Sequence, residues 1–302
     1  MQNLPTKLFQ KFIFNKDIRK FKNNLLYYLF FRLVRKILNS KIEVKIYNFK
    51  ILASNKKNFA SHAILRKCDF DDNSEINLIK EISKENKVFL IDCGSNFGFY
   101  SLFSASLSLN NEIISLEASP KTYVDHKDNI LINNFKNIKL LNLAVSENDD
   151  QILKLKESKN DWESSISHDN FDEIYVTKIK TITIDTLIDK KNIEYFDMII
   201  KLDIEGYEMN AIEGAMKTIK NHNPLIIIEF SKFIQNNNNY NFDYLRKFLK
   251  DFDYSIFDYK YRKITVDEVI NLLNNLPKSH NGIGNNFLVK NKSKLENIIL
   301  NL

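Results

Sequence analysis

One stretch of the sequence decides the fold: Phe89-Leu90-Ile91-Asp92-Cys93-Gly94-Ser95-Asn96-Phe97-Gly98-Phe99-Tyr100-Ser101. An apolar run ending in an acid predicts a buried strand, and the two glycines after it predict a tight turn into a helix. The chain has only 6 glycines in 302 residues, so two of them four positions apart are informative. Glycine lets the backbone turn sharply and lets a ligand approach closely, because it has no Cβ. The stretch therefore predicts a pocket for a cofactor that contains a nucleoside.

Around this stretch, apolar runs and helical periodicity alternate along the chain. Predicted strands lie at 88–92, 112–116, 138–143, 196–203 and 225–230, and predicted helices lie at 98–109, 121–133, 208–220 and 241–252. Such alternation predicts an α/β fold, in which helices cover both faces of a parallel sheet. The polar region 146–180 interrupts the pattern and is interpreted as a long loop, a kind of segment that is often functional.

The charge divides the chain into two parts. Residues 1–45 hold eleven Lys or Arg and two Asp or Glu, so the rest of the chain, whose total charge is +6, sums to −3. Residues 16–39 predict a basic amphipathic helix, which could cap the catalytic domain or lie on an anionic membrane. We therefore expect a basic N-terminal extension at 1–60 and a catalytic domain at 61–302. The slightly acidic catalytic part argues against nucleic acid as the partner.

The polar residues at three predicted strand ends fit one nucleoside ligand. The opening turn has the order D-x-G-x-N-x-G, whereas dinucleotide folds prefer G-x-G-x-x-G. An acid beside the turn suits an amino group and a sulfonium better than a pyrophosphate, which favours S-adenosylmethionine over NAD. Glu117 follows the next strand and could accept both ribose hydroxyls, and the segment 142–146 could hold an adenine. The expected cofactor contacts are Asp92, Gly94, Asn96, Gly98, Glu117, Ser119, Asn142 and Ala144.

A second dense group of charges follows the strand at 196–203. Lys201, Asp203 and Glu205 would point to one side of an extended chain, because side chains alternate along a strand. Burying carboxylates costs free energy unless they are paired, bound to a metal or used on a ligand. We therefore predict Asp203, Glu205 and Lys201 as catalytic residues. Glu208 could instead cap the following helix, and Glu229 adds an acid at the same edge of the sheet.

These segments resemble the FkbM family of class I S-adenosylmethionine-dependent methyltransferases. The resemblance covers about residues 65–290 and is carried by the following segments: I-D-C-G-S-N-F-G-F-Y-S at 91–101, L-E-A-S-P at 116–120, T-I-D-T-L at 183–187, I-K-L-D-I-E-G-Y-E at 200–208, and I-E at 228–229. It implies a Rossmann-like, seven-stranded, mostly parallel sheet with a reversed last hairpin. It also implies that Asp92, Gly94 and Asn96 contact the methionine moiety, that Glu117 contacts the ribose, and that an oxygen atom is methylated, commonly on a sugar, a glycolipid or a related product.

The expected mechanism uses Asp203 or Glu205 as a general base on an acceptor hydroxyl. The same two carboxylates could instead hold Mg²⁺, which prefers hard oxygen ligands, but this is the less favoured alternative and no metal site is predicted. His168 and His280 are secondary candidates for the base, and both are interpreted mainly as exposed loop residues.

Two rival functions stay open at the level of sequence. An RNA methyltransferase would use the basic extension on phosphates, although no N-P-P-Y-type tetrad is present. A non-catalytic S-adenosylmethionine-binding module is the other rival, and the presence of Lys201, Asp203 and Glu205 argues against it. Two cysteines cannot form a disulfide scaffold, which favours a cytoplasmic location, with the segment 16–39 as a contact to the inner face of a membrane. The expected partner is a small-molecule or glycan acceptor, and the sequence indicates no oligomeric state.

Overall fold

The computed structural model describes residues 41–53, 73–158, 164–165, 174–189, 191, 193–235, 241–277, 280 and 282–302. The predicted amphipathic helix at 16–39 and the candidate base His168 lie outside these residues. The strands are β1 (Ile42–Ile46), β2 (Phe49–Ala53), β3 (Lys87–Cys93), β4 (Glu112–Leu116), β5 (Ile138–Leu141), β6 (Ala144–Val145), β7 (Ile152–Ser158), β8 (Ser164–Ser165), β9 (Ile174–Ile182), β10 (Phe196–Leu202), β11 (Leu225–Ser231), β12 (Tyr254–Phe257), β13 (Lys263–Ile264) and β14 (Gly282–Lys290).

The helices lie between these strands and follow the alternation that the sequence predicts. They are α1 (Asn73–Glu85), α2 (Phe99–Leu107), α3 (Pro120–Asn133), α4 (Ile184–Ile188), α5 (Glu208–Glu213), α6 (Met216–His222), α7 (Lys232–Gln235), α8 (Phe242–Phe252), α9 (Val266–Asn274) and α10 (Lys294–Leu300). Pro120 begins α3 directly after the N-cap Ser119, whose hydroxyl accepts the Thr122 N–H.

The central sheet has the strand order β5-β4-β3-β10-β11-β14-β12-β13. Strands β5, β4, β3, β10 and β11 are parallel, and β14 runs antiparallel to both β11 and β12. This is the Rossmann-like class I architecture with the reversed last hairpin. Within the described residues the sheet has eight strands rather than seven, because the two-residue strand β13 pairs with β12.

Two layers of apolar side chains cover the faces of the sheet. Leu90 and Ile199 face one layer with α1, α2 and α10, whereas Ile91 and Ile200 face the other with α5, α8 and α9. Neighbouring residues of one strand thus enter opposite cores, as expected for a parallel sheet that is buried on both sides.

The described part of the predicted N-terminal extension is a β-hairpin formed by β1 and β2. Val44, Phe49 and Ile51 are buried in the same layer as α2. The Leu52 N–H donates to Asn129 Oδ1 on α3 at 2.7 Å. Residues 42–53 therefore pack into the core of the catalytic domain.

The region 146–180 is not the long loop that its polarity indicated. β7 and β9 form an antiparallel hairpin there. β9 also pairs with β6, which gives a four-stranded sheet of order β6-β9-β7-β8. Leu155 and Ile179 are buried on the inner face of this hairpin, while lysines alternate with them on the outer face. That alternation is a strand signal, and the high lysine content concealed it.

The predicted helix at 208–220 is divided at Gly214 into α5 and α6. A Cβ at Gly214 would lie 2.2 Å from the Ser146 carbonyl oxygen, so the chain approaches a neighbouring loop closely at this point. Asp185 then caps α6 by accepting the N–H groups of Lys217 and Thr218. The T-I-D-T-L segment of the resemblance therefore has a structural role.

No helix among the described residues is both long enough and apolar enough to cross a bilayer.

Candidate active site

The glycine-containing turn at 92–98 and the charged segment at 201–205 meet at the carboxyl ends of β3 and β10, which are neighbouring parallel strands. The Asp203 N–H donates to the Cys93 carbonyl at 3.2 Å. A Cβ at Gly94 would lie only 1.9 Å from the Asp203 carbonyl oxygen. Glycine at position 94 therefore allows the turn after β3 to lie directly against the end of β10. The predicted cofactor turn and the predicted catalytic carboxylates thus belong to a single site.

The turn after β3 is fixed by backbone geometry. Gly94 and Gly98 have φ angles of 75° and 95°, and Asn96 has 50°. The N–H groups of Gly94 and Ser95 both donate to the Leu116 carbonyl, at 3.0 and 2.9 Å. Since left-handed φ values favour glycine, this turn requires glycine at both positions where the sequence has it.

Glu117 is held at the end of β4 by two backbone donors. Its carboxylate accepts the Asn96 N–H at 2.8 Å and the Ser119 N–H at 2.9 Å. The side chain of Asn142 supports the same corner by donating to the carbonyls of Glu117 and Ala118, at 2.7 and 3.0 Å. The carboxylate is therefore oriented before any ligand binds, as a contact to ribose hydroxyls requires.

A cleft opens between these strand ends. It is lined by Gly94, Asn96, Leu116, Glu117, Ala118, Thr122, Leu143, Ala144, Val145, Leu155, Asp203, Ile204, Glu205 and Tyr207. Six of these are predicted site residues, and the others are mainly apolar side chains that sequence reasoning missed. An apolar cleft with carboxylates at defined points fits a cofactor that has a flat base, a ribose and a charged end. The residues present thus fit S-adenosylmethionine.

Asp92, Gly98, Ser119, Asn142 and Lys201 do not line this cleft. Asp92 is fully buried and accepts a hydrogen bond from Ser101 Oγ at 2.5 Å. The Ser101 hydroxyl also lies 2.7 Å from that of Ser115, so the acid belongs to a polar cluster behind the turn. Burial raises the pKa of Asp92, and the charge of Lys201 opposes that increase.

Gly98 leaves room for a buried histidine that the sequence analysis did not single out. A Cβ at Gly98 would lie 2.2 Å from the ring of His126. His126 Nδ1 lies 3.0 Å from Ser95 Oγ, and burial lowers the pKa of this histidine to about 3. The neutral ring therefore packs beneath the turn and holds it from below.

Lys201 lies beneath the acidic end of the cleft, with 1% of its surface exposed. Its Nζ is 2.8 Å from Asp203 Oδ2 and 4.6 Å from the centre of the Tyr100 ring. Burial raises the pKa of Asp203, but the charge and the hydrogen bond of Lys201 outweigh it, so the net pKa is lowered. Asp203, whose side chain is 37% exposed, is thus ionised at neutral pH.

Three carboxylates converge at this end of the cleft. One oxygen from each of Asp203, Glu205 and Glu229 lies within 4.8 Å of the others. Burial and the neighbouring charges of Asp203 and Glu205 raise the pKa of Glu229 well above its usual range. Glu229 therefore holds a proton up to a higher pH than an ordinary glutamate, and its carboxyl group hydrogen-bonds to Asp203. Three oxygen donors at this spacing also match the ligand type that Mg²⁺ prefers.

Glu208, at the first residue of α5, holds the turn before the helix rather than capping the helix, because the N–H groups that its side chain accepts all precede α5. Its buried carboxylate accepts the N–H groups of Ile204 and Gly206, at 3.0 and 2.9 Å for the shorter contacts. Burial raises its pKa to about 7. His280, the described one of the two candidate histidines, is exposed and does not line the cleft.

Comparison with known proteins identifies a family for this chain. A family model described as the methyltransferase FkbM domain matches residues 92–256, and no curated protein matches the chain. A solved FkbM methyltransferase from Methylobacillus flagellatus is 17% identical with a TM-score of 0.37; the match covers 64% of this chain and only 47% of that one.

Two further solved structures contain SAH. The Streptococcus mutans protein SMU.1697c is 10% identical over 74% of this chain and 98% of its own, with a TM-score of 0.42. An O-methyltransferase from Bacillus cereus is 15% identical over 74% of this chain and 82% of its own, with a TM-score of 0.40. Because the family model covers more than half of the residues, the chain belongs to the FkbM family of S-adenosylmethionine-dependent methyltransferases.

Proposed function

We propose that this enzyme methylates a hydroxyl group on a small-molecule or glycan acceptor, such as the sugar of a glycolipid or of a related secondary metabolite. One observation carries the proposal: Asp203 and Glu205 line the same cleft as the donor-binding turn. A carboxylate beside the transferred methyl group is the group that a hydroxyl nucleophile needs, because its proton must leave as the new C–O bond forms. We also propose that the enzyme acts in the cytoplasm.

The protein contributes alignment and proton transfer in this proposal. S-adenosylmethionine supplies an activated methyl group on a good leaving group, so the chain itself need not activate the donor. Glu117 orients the nucleoside end, while Asp203 or Glu205 accepts the hydroxyl proton of the acceptor. Lys201 favours the ionised form of Asp203, and the raised pKa of Glu229 opposes the presence of three adjacent negative charges. Bringing both reactants into one oriented cleft supplies much of the remaining rate enhancement.

Replacing each carboxylate separately tests this assignment. We expect Asp203→Asn or Glu205→Gln, whichever removes the base, to lower kcat about 10²- to 10⁴-fold with donor affinity nearly unchanged. Glu117→Gln is the matched carboxylate variant on the donor side, and it should weaken binding of S-adenosylmethionine instead. Isothermal titration with the donor and steady-state kinetics with a sugar acceptor separate the two effects. Full turnover in both Asp203→Asn and Glu205→Gln would rule out carboxylate base catalysis.

A metal-assisted variant of the same reaction is the less favoured alternative. Asp203, Glu205 and Glu229 would then hold Mg²⁺, which lowers the pKa of a bound hydroxyl. An EDTA titration distinguishes the two versions, since unchanged activity removes the metal. A donor-consumption assay with sugar lipids, with RNA and without acceptor tests the acceptor class. Consumption with RNA alone would favour the RNA methyltransferase, and none with any acceptor would favour the binding module.

A further inference from the structure

The outer side of the β7–β9 hairpin carries an unusual set of side chains, which we call the lysine face. It consists of Ile152, Lys154 and Lys156 on β7 and Val176, Lys178 and Lys180 on β9. The register pairs Ile152 with Lys180, Lys154 with Lys178, and Lys156 with Val176, so all six side chains point to the same side. Successive rows along the strands are separated by roughly 7 Å.

The other side of the hairpin belongs to the donor site. Leu155 and Ile179 are buried there against Ala144, and Leu155 lines the cleft. Leu155 lies between Lys154 and Lys156 in the sequence, so the lysine face and the donor cleft are separated by the thickness of one sheet. Whatever the lysine face contacts is therefore adjacent to the nucleoside end of the cleft.

The arrangement of charges is unfavourable in the isolated molecule. Lys154 lies directly opposite Lys178, and like charges at such a pair destabilise a sheet. Within the described residues neither of these two lysines forms an ion pair, whereas Lys180 pairs with Asp150 at 2.6 Å. The latter pair is largely exposed and contributes little stability. Four lysines thus lie together on one face of a body whose residues after 45 sum to −3.

Two apolar side chains complete the lysine face. Ile152 and Val176 are 59% and 58% exposed, at diagonally opposite corners of the lysine rows. Aliphatic side chains among lysines match a lipid surface, where the charges meet anionic headgroups and the apolar groups enter the boundary with the acyl chains. The face has no arginine and no aromatic side chain, which are the residues that nucleic acids engage by bidentate contacts and base stacking.

We propose that the lysine face docks on a bilayer surface that contains anionic lipids. The docked enzyme holds its donor cleft on the opposite side of the hairpin, one sheet thickness away from that surface. This contact is separate from the predicted helix at 16–39 and does not depend on the identity of the methylated group.

Vesicle co-sedimentation of the full chain tests the proposal. Vesicles of phosphatidylcholine alone are compared with vesicles that also contain phosphatidylglycerol. Each lysine near an anionic surface contributes about five-fold in partitioning, so the double variant K154Q/K178Q should bind anionic vesicles about 25-fold more weakly. High salt should reduce this difference, and vesicles of phosphatidylcholine alone should show none.

A matched variant controls for net charge. K247Q/K250Q removes two exposed lysines from α8 and should partition like the unmodified chain. The basic residues near the N-terminus are common to all three proteins, so the ratios report the lysine face. Equal partitioning of K154Q/K178Q and the unmodified chain overturns the proposal, as does an equal loss in both variants. Loss of RNA binding without loss of vesicle binding would assign the face to nucleic acid. S-adenosylmethionine binding should be the same in all three, so failure of this proposal leaves the proposed reaction untouched.

Discussion

The donor side and the carboxylate side of the cleft are built in different ways. On the donor side, the turn after β3 and the Glu117 carboxylate are held by backbone N–H groups and by close approaches of glycine. On the carboxylate side, Asp203 depends on the buried cation Lys201 and on the neighbouring Glu229, whose pKa is raised. The first side is fixed by geometry and the second by a balance of charges.

This difference teaches where each side is vulnerable. A backbone hydrogen bond survives most changes of side chain, so the donor side fails mainly when a Cβ is added at a glycine. A buried charge balance fails when one member is removed, because the remaining charges lose their compensation. The two sides should therefore respond to different substitutions and different conditions.

Lys201→Met should change both stability and pH dependence, since it leaves Asp203 without its cation. Removing one partner of a buried ion pair costs about 3–5 kcal/mol, and the partial exposure of Asp203 places the expected loss near 3 kcal/mol. The pKa of Asp203 should rise, which moves the acidic limb of the kcat/KM profile to higher pH. Urea unfolding and a pH profile measure both effects. Lys191→Met, which breaks a more exposed pair with Glu112, is the control and should change stability by less than about 1 kcal/mol. An unchanged pH profile in Lys201→Met would contradict the charge balance.

Gly94→Ala tests the donor side by adding a single methyl group. The new Cβ would meet the Asp203 carbonyl at a φ of +75°, so strain and overlap together should cost roughly 2–5 kcal/mol and weaken donor binding. Gly284→Ala is the matched control, because Gly284 has a φ of +77° with nothing within 4 Å of the added Cβ. It should show only the strain of about 1–2 kcal/mol. Equal losses in the two variants would mean that the contact with Asp203 is unimportant.

The pH dependence of stability should distinguish the buried His126 from the charge balance. Its folded pKa of about 3 lies below the unfolded value of 6.5, so the unfolded chain takes up a proton first as the pH falls. Stability that is present above pH 6.5 is therefore lost on acidification, by about 2 kcal/mol between pH 7 and pH 5. His126→Phe should flatten this part of the curve in urea unfolding, whereas the exposed-site variant His280→Asn should keep it. A slope unaffected by His126→Phe would refute the assignment.

Much of the fold could be predicted from the sequence, because local patterns determine it. The strand β4 has the predicted bounds, and β3, β10 and β11 differ from prediction by one residue at one or both ends. Apolar runs followed by helical periodicity have few other solutions. The helices α9 and α10 were missed although the N-caps Thr265 and Ser293 mark where they begin. The hairpin of β7 and β9 was interpreted as a loop, because its lysines conceal the alternation of apolar residues.

The candidate site was predictable to the extent that parallel strands bring their carboxyl ends to one edge. Gly94, Asn96, Glu117, Asp203 and Glu205 all line the cleft for this reason. Asp92 and Lys201 do not line the cleft. Each lies within its strand rather than after its end, and its side chain is buried. Leu155 and Tyr207 were missed because they line the cleft only after the β7–β9 hairpin and the end of β10 come together in the folded chain.

The sequence by itself determined the order of strands and helices, the need for glycine at the turn, and the residue types at each strand end. These follow from backbone sterics and hydrophobic periodicity, which act over a few residues. Only the tertiary structure decided which acid has a raised pKa, that Lys201 lies under Asp203, and that His126 fills the space beside Gly98. Those outcomes depend on burial and on distances between residues far apart in the chain, and electrostatic free energies change steeply with both.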